Sequence, residues 1–600
     1  METTSFLLRR RLVDAVAAVP SLAAMVFPGA SCSGLEVSVG RASDARFGDY
    51  QSNIAMLLAK RLGANPRDVA GQIRAALQVE DLCEDVEIAG AGFLNFRLLP
   101  GWVRSRVCAL YADARLGLGE PSQVRTLVID FSSPNVAKPM HVGHIRSTIL
   151  GDSLARIAAF CGHRVIRDNH IGDWGTQFGM LLVGWKFHLD NDLLQRDALA
   201  EMERIYKLVS GRCQEDPSVR EAARAELVKL QSGDSENLAL WREMIRLSQG
   251  QFDFIYGRLG IRFDVTLGES FYNDRLKPVV EQLRAAGIAR ESDGAFCVFS
   301  DHQSAPEQDP FLIKDKEGWR DNPAIVLKSD GAANYTTTDL ATLRYRSETW
   351  HPDEIIYVTD GRQQLHFRQL FAIYRRWCPE ESARVRLSHV WFGSILGEDG
   401  KPFKTRSGET IRLSELLDEA EQRAYDQVSA KNPAFSEEER REIGRVIGLG
   451  AVKYADLLPN RQGDYVFSWE KMLSFQGNTA PYLQNAYVRI QSIFRRSEAD
   501  RPVLMDTCEI ELNEPEELQL GKKLLQFAEV LPQVLEDHRP NGLANYLYEL
   551  ANTFHAFYEA CPVLKSEGRT RTSRLQLCHV SARLLKTGLD LLGIDVPERM

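Results

Sequence analysis

No stretch of this chain is apolar for long enough to cross a membrane, and its start, Met1-Glu-Thr-Thr-Ser-Phe6, carries no basic-then-apolar leader. Leu7 and Leu8 are followed at once by Arg9-Arg10-Arg11, the reverse of the order that export uses. Cysteine is scarce: ten in 600 residues, with no Cys-x-x-Cys pair. Neither a zinc knuckle nor a disulfide framework is therefore expected, and the reading is of reduced thiols in a cytoplasmic protein. A basic excess is also lacking. Lys and Arg number 73 against 82 Asp and Glu, a net charge of −9. That argues against a general nucleic-acid binder but not against a protein that grips one folded RNA with local basic patches. The run from Lys565 to Lys586, with Arg569, Arg571, Arg574 and Arg583, is one such candidate patch, or else a solvated helix face. Internal repeats and low-complexity segments are absent too. What remains is an ordinary globular composition, 44% hydrophobic and 26% charged, on a chain long enough for three or four domains.

The most informative segment is His141-Val142-Gly143-His144. Before it, Thr126-Leu-Val-Ile-Asp-Phe131 reads as a buried parallel strand, and Ser132-Ser-Pro-Asn135 turns the chain. After it, Ile145, Ile149, Leu154, Ile157 and Ala158 recur at helical spacing up to Phe160, with Gly162 as the stop. Two imidazoles thus flank a glycine at a strand-to-helix turn, where a helix N-terminus offers N–H groups to phosphate. The four residues alone equally fit solvated histidines at a helix start. Lys138, three residues upstream, and a distant basic loop, Gly400-Lys-Pro-Phe-Lys-Thr-Arg-Ser-Gly408, favour an ATP site.

Together the two segments resemble the signature loops of class I aminoacyl-tRNA synthetases. Asp130-Phe-Ser-Ser-Pro-Asn-Val-Ala-Lys-Pro-Met-His-Val-Gly-His144 and Gly172-Asp-Trp-Gly-Thr-Gln-Phe-Gly179 closely resemble the bacterial type of the arginyl-tRNA synthetase family. The resemblance runs from Phe47-Gly-Asp-Tyr-Gln-Ser-Asn53 to Met600. It implies a ligase that activates L-arginine with ATP and Mg²⁺, without a tightly bound cofactor, and passes the arginyl group to the terminal ribose of tRNA(Arg). A monomer is expected, with no membrane partner and no dedicated metal site.

The expected fold is α/β: a Rossmann-type parallel-sheet catalytic domain, a small α/β N-terminal domain and an all-α C-terminal bundle. Residues 1–115 form the first module, which the resemblance assigns to tRNA contact. In residues 122–410 strand candidates (Val128-Ile129, Arg164–Arg167, Glu354–Val358, Val390–Phe392) alternate with helices, and a helical insertion falls near 185–260. From 411 to 600 strand signals nearly vanish, and the resemblance makes this region the anticodon-binding domain. Its expected helices are Leu413–Lys431, Glu437–Leu457, Ala480–Arg496, Glu516–Asp537, Gly542–Glu559 and Ser573–Leu592.

Activation of a carboxylate by ATP asks for alignment and stabilisation of phosphate charge rather than a general base. His141, His144 and Lys138 form one cationic cluster and Lys401, Lys404 and Arg406 a second; the ATP-binding set is His141, Gly143, His144, His366, Lys401 and Lys404. Where the common class I loop has its second lysine, this chain has Thr405; Lys138 reads as the replacement charge, or as a surface lysine. A guanidinium presents five N–H donors in a planar fork, so carboxylates should face it. The resemblance places Asp130, Asn135, Tyr335, Asp339 and Gln363 on the amino acid, with Asp173 and Gln177 as weaker candidates. Gln369 accompanies His366, with a core role open for both. For tRNA it places Tyr482, Gln484, Tyr487 and Arg489 on one helix, although the tyrosines could equally be core. Two rivals stand beside this reading: a non-catalytic RNA-binding paralogue, and a ligase for another small acid.

Overall fold

The computed structural model describes residues 2–26, 37–401, 403, 411–497 and 507–600. The first unit is a four-stranded antiparallel sheet, in the order Gly40–Arg41, Tyr50–Ser52, Phe93–Phe96, Glu87–Ala89, covered by the helices Thr4–Ala18, Ile54–Leu62 and Pro66–Ala76. The helix Pro100–Ala112 leads out of it.

The central region is built on β1 (Thr126–Asp130), α1 (Val142–Phe160), β2 (Arg164–Asn169), α2 (Ala198–Glu215), β3 (Val265–Thr266), α3 (Tyr335–Trp350), β4 (Glu354–Tyr357), α4 (Gln364–Trp377) and β5 (Arg386–His389). The sheet order is β5-β4-β1-β2-β3, with every pair parallel. The strand order reverses between β1 and β4, where Tyr357 pairs with Asp130; in a doubly wound sheet the ligand crevice opens beyond the strands' carboxyl ends at such a switch point. The chain between β2 and β3 is helical, as expected; α2 is one of its five helices. The short antiparallel sheet of Ala289–Ser292, Ala295–Val298 and Ala324–Leu327 has no counterpart in the sequence reading.

Past the sheet come β6 (Ile395–Leu396), α5 (Glu437–Leu457), β7 (Tyr465–Val466) and α6 (Ala480–Arg496), within a helical region that also contains Leu413–Lys431, Pro515–Leu525, Phe527–Asp537, Asn541–Ala560 and Gly568–Leu591. Among the described residues no helix is long and apolar enough to cross a membrane.

Three expectations change. The last strand of the sheet lies at Arg386–His389, not at Val390–Phe392; the latter run continues past the sheet, with Val390 N–H on Tyr357 O and Gly361 N–H on Phe392 O. The helix expected over Glu516–Asp537 is two helices meeting at Gln526, a break that no glycine or proline marks. And Cys108, on the helix Pro100–Ala112, is joined to Cys508 by a disulfide, so the reading of wholly reduced thiols does not hold for this pair. A separation of 400 residues leaves no spacing pattern from which to read it.

One side chain ties the regions together. Arg146 of α1 is buried, with its Nε 2.8 Å from Asp456 Oδ1 of α5. It donates to Gly393 O (2.7 Å) and Gly463 O (3.2 Å), between the rings of Phe392 and Tyr465.

Candidate active site

β1 delivers Asp130 to the crevice, and the chain then turns through left-handed backbone at Ser132 (φ 74°), Ser133 (φ 48°) and Ala137 (φ 61°). Non-glycine residues hold such conformations only where the surroundings over-determine them. Here Ser132 N–H donates to Ser147 Oγ, Ser133 N–H to Asn169 Oδ1, and Ala137 N–H to Ser248 Oγ. The turn is thus pinned from three helices and strands at once.

His141 caps α1 in place of the usual Ser or Asp: its Nδ1 accepts from Gly143 N–H at 3.0 Å, and His144 Nδ1 accepts from His141 N–H at 3.1 Å. A Cβ on Gly143 would stand 2.8 Å from the His141 ring, so only glycine fits between the imidazoles. Burial, with His141 beside it, pushes the His144 imidazole down to about 3; burial and then the Arg362 charge lower His141. Both rings are therefore neutral near pH 7. Since each Nδ1 accepts, each Nε2 carries the proton and can donate to a phosphate oxygen. The helix's own first N–H groups are less available than the sequence implied: Val142 donates to Ile411 O, Gly143 to His141 Nδ1, and His144 to His141 O.

Lys138 is exposed, its ammonium 5.2 Å from the centroid of the Tyr206 ring. The second basic loop leaves the sheet through β6, which pairs in parallel with β7 of the helical region, and Phe403 stacks on Phe467. Lys401 is exposed beside Asp399, whose carboxylate takes its N–H. Lys404 and Arg406 lie outside the described residues. The loop's far end returns to the histidine motif, where Leu413 N–H donates to Met140 O. The described residues on either side of the loop thus touch the helical region and the histidine motif.

The amino-acid pocket differs from expectation in its details. Asp130 is buried and engaged: Oδ2 lies 2.7 Å from the buried Arg346, and Oδ1 accepts from Ser133 Oγ at 2.9 Å. Arg346 also meets Asp168 at 2.9 Å. An internal arginine therefore already occupies the side of Asp130 that a substrate guanidinium would want. Asn135 is exposed at the turn, with its amide so close to Gly172 that a Cβ there would sit 2.3 Å from Asn135 Oδ1. Tyr335 is 61% exposed and sets its ring edge-on to His366 at 4.9 Å. His366 Nε2 is 2.6 Å from Asp339 Oδ2, so that nitrogen is already engaged by a carboxylate. Gln363 is exposed in the turn after β4, next to the Arg362 whose charge reaches His141. Gln369 spends its amide on Pro310 O and Asn322 O, which leaves it a packing role. Asp173 is locked by Ser270, through both the hydroxyl and the N–H.

Glu269 was missed. It lies just after β3 in Leu267-Gly-Glu-Ser270, a strand too short to register as periodicity. Burial, and then the charges of Asp339 and Asp173, push its carboxyl up to about 7. Among the described residues neither Glu269 nor Asp339 is paired with a lysine or arginine. Two carboxylates that repel each other, one of them held only by the His366 imidazole and neither neutralised by a lysine or arginine, can receive a cation.

A pH dependence follows. Only ionised Glu269 attracts a cationic ligand, so arginine affinity should be full above about pH 7 and should weaken, by up to about tenfold per pH unit, as pH falls below it. Arginine KM measured from pH 6 to 8 should show this slope in the wild type and lose it in Glu269→Gln. A flat wild-type profile excludes Glu269 from the site.

On α6, Tyr482 is half-buried, with its hydroxyl on Asn552 Oδ1 at 2.6 Å, and Arg489 is exposed beside His555. These two, seven residues apart, lie along the same neighbouring helix. Gln484 does not belong with them: it is fully buried, with its amide on Val446 O and Asp595 O. Tyr487 is half-buried and packs against the core. The basic run after Lys565 also disperses, since Arg574 pairs with Glu517 in the interior and Arg583 donates to Tyr111 O and Asp113 O.

A parallel sheet with a histidine pair after its first strand and a second basic loop after its last defines the catalytic domain of a class I aminoacyl-tRNA synthetase. Family comparison agrees: the model for "tRNA synthetases class I (R), catalytic domain" matches residues 107–469. Those for the DALR anticodon binding domain and the arginyl tRNA synthetase N terminal domain match 483–600 and 11–98. The arginine–tRNA ligase of Cellvibrio japonicus is 46% identical over 99% of both chains, and that of a Synechococcus strain 48% identical over 93% of this chain and 94% of the relative. Among solved structures, arginyl-tRNA synthetase from Plasmodium falciparum superposes with a TM-score of 0.82 at 28% identity, covering all of both chains. The Thermus thermophilus enzyme gives 0.80 at 26%, covering 99% of this chain and 100% of its own. The chain belongs to the arginyl-tRNA synthetase family.

Proposed function

We propose that this ligase holds the guanidinium of L-arginine between Asp339 and Glu269, beside Tyr335, and the amino-acid head group near Asn135 and Gln363. The observation that carries the reading is a carboxylate pair that no lysine or arginine neutralises among the described residues, next to a turn whose Arg362 is felt at His141. The arginine carboxylate then attacks the α-phosphate of ATP, pyrophosphate leaves, and a ribose hydroxyl at the 3′ end of tRNA(Arg) takes the arginyl group. The neutral His141 and His144 donate Nε2–H to phosphate oxygens as charge develops, and Lys138, Lys401, Lys404 and Arg406 balance that charge. Mg²⁺ enters with the nucleotide, as is usual for a hard cation held largely by phosphate oxygens and water; among the described residues no cluster of three His, Cys, Asp or Glu is built to hold it. Asp130 acts as an Arg346-anchored wall of the pocket.

Residues 1–115 are assigned to the outer part of the tRNA, 122–410 to chemistry, and 411–600 to the anticodon, with Tyr482 and Arg489 on the contact face. A monomer in the cytoplasm is the proposed working form. The test is arginine-dependent pyrophosphate exchange with ATP, Mg²⁺ and tRNA; its absence under those conditions overturns the reading.

His144→Ala and Lys138→Ala should each slow adenylate formation by roughly 10²–10³-fold, the scale of losing one preorganised donor. Arginine binding, measured by calorimetry, should be unchanged. If Lys138→Ala keeps full activity, the replacement of the missing loop lysine lies elsewhere.

A further inference from the structure

The inserted helix α2 turns one face to both basic signature segments. Its N-cap, Asp197, stands 2.9 Å from Arg412, and Glu203 stands 3.9 Å from the same guanidinium. Arg412 ends the second loop, and its neighbours Ile411 and Leu413 are hydrogen-bonded to Val142 and Met140 of the histidine motif. Three residues on from Glu203, Tyr206 offers its ring to Lys138. The two cations are treated differently: Arg412 is given carboxylates, Lys138 only an aromatic face. Among the described residues Lys138 has no carboxylate and no hydrogen-bond acceptor within reach.

That difference has chemical content. A carboxylate would neutralise the ammonium and compete with phosphate for it. A ring holds a cation by its quadrupole, limits the wandering of a four-carbon side chain, and leaves the charge and all three N–H donors unspent. Glu203 is near enough for its charge to be felt at His141, yet its carboxylate pairs with Lys207 at 2.8 Å and reaches Arg412 at 3.9 Å, not Lys138.

We propose that Tyr206 is a positioning residue for Lys138, holding the ammonium beside the histidine motif, undischarged and ready for the phosphates of ATP. The proposal rests on the reading that Lys138 supplies phosphate charge. Tyr206→Leu should lower the rate of arginine- and tRNA-dependent pyrophosphate exchange by roughly 3- to 30-fold, the factor a cation–π contact of this kind carries. Arginine binding and thermal midpoint should stay as in the wild type. Tyr206→Phe, which keeps the ring and removes the hydroxyl, should restore at least half of the wild-type rate. In the Lys138→Ala background, Tyr206→Leu should cost nothing further.

A wild-type rate in Tyr206→Leu overturns the proposal. So does an additive loss in the double variant, since the ring would then be supporting something other than Lys138. A Tyr206→Phe protein as slow as Tyr206→Leu also overturns it, because the hydroxyl and not the ring would matter. Full activity in Lys138→Ala alone is a different result: it removes the underlying assignment of Lys138, and the proposal with it.

Discussion

Lysine or glutamine offered in place of arginine should be activated about 10⁴-fold less efficiently or worse, with no editing step needed. The reason is the proposed pair of carboxylates at Asp339 and Glu269. A guanidinium spreads one positive charge over a plane with donors on several edges and can face both carboxylates together. The ammonium of lysine is a compact point that can sit on one and leaves the other repelling it in a half-buried site. Glutamine leaves both negative charges uncompensated, and Glu269 would take up a proton rather than bind it, given a carboxyl already near 7. Arg346 sharpens the point, because it consumes Asp130 and Asp168 and so prevents a third carboxylate from accepting a misplaced cation. Pyrophosphate exchange with each amino acid at matched concentrations, in the presence of tRNA, measures the ratio. Exchange with lysine within tenfold of arginine would sink the assignment of the pocket.

The parts of this molecule that were legible in the sequence are those governed by local order. α1, α5 and α6 begin and end where helical periodicity puts them, with Gly162 as the stop after α1, and β1 ends at Asp130 as an apolar run closed by a carboxylate. The His141–His144 cluster was legible because its chemistry sits in four consecutive residues. What escaped depends on partners far along the chain. Gln484 looks like an RNA-facing amide until Val446 and Asp595 close over it, and Asp130 looks like a substrate ligand until Arg346, 216 residues later, takes its oxygen. Glu269 follows a two-residue strand, and its perturbation comes from two carboxylates on other elements. Cys108 and Cys508 are invisible for the same reason. Strand β7 was hidden by its brevity among helices, yet it is the strut on which the second signature loop stands.

That strut underlies the last prediction. Arginine activation should require tRNA: purified, tRNA-free protein should bind ATP and arginine and yet give essentially no pyrophosphate exchange, and cognate tRNA should restore it. The described residues that flank the second basic loop touch two parts of the molecule. At one end β6 pairs with β7, Phe403 stacks on Phe467, and Ser394 N–H rests on Asp464, all within the helical region. At the other end Leu413 N–H is bonded to Met140 O of the histidine motif. A shift of the helical region on the proposed RNA binding would move the described residues on either side of Lys404 and Arg406. A side chain joins the same parts from within: Arg146 of α1 meets Asp456 of α5 and the carbonyls of Gly393 and Gly463. A buried charge pair of this kind is a stiff connection, because removing one partner leaves the other desolvated and unpaired at a cost of about 3–5 kcal/mol. Two sites coupled through one element with two positions is the physical content of allostery, and the coupling must be lost when the connection is cut. Asp456→Asn should therefore reduce tRNA-stimulated exchange by roughly 10- to 100-fold, while arginine affinity, which we propose Asp339 and Glu269 set, changes little. Tight tRNA binding with lost stimulation is the expected signature in a gel-shift and exchange experiment run side by side. Full exchange by rigorously tRNA-free wild-type protein would refute the coupling and leave Arg146 as a packing residue between the two regions.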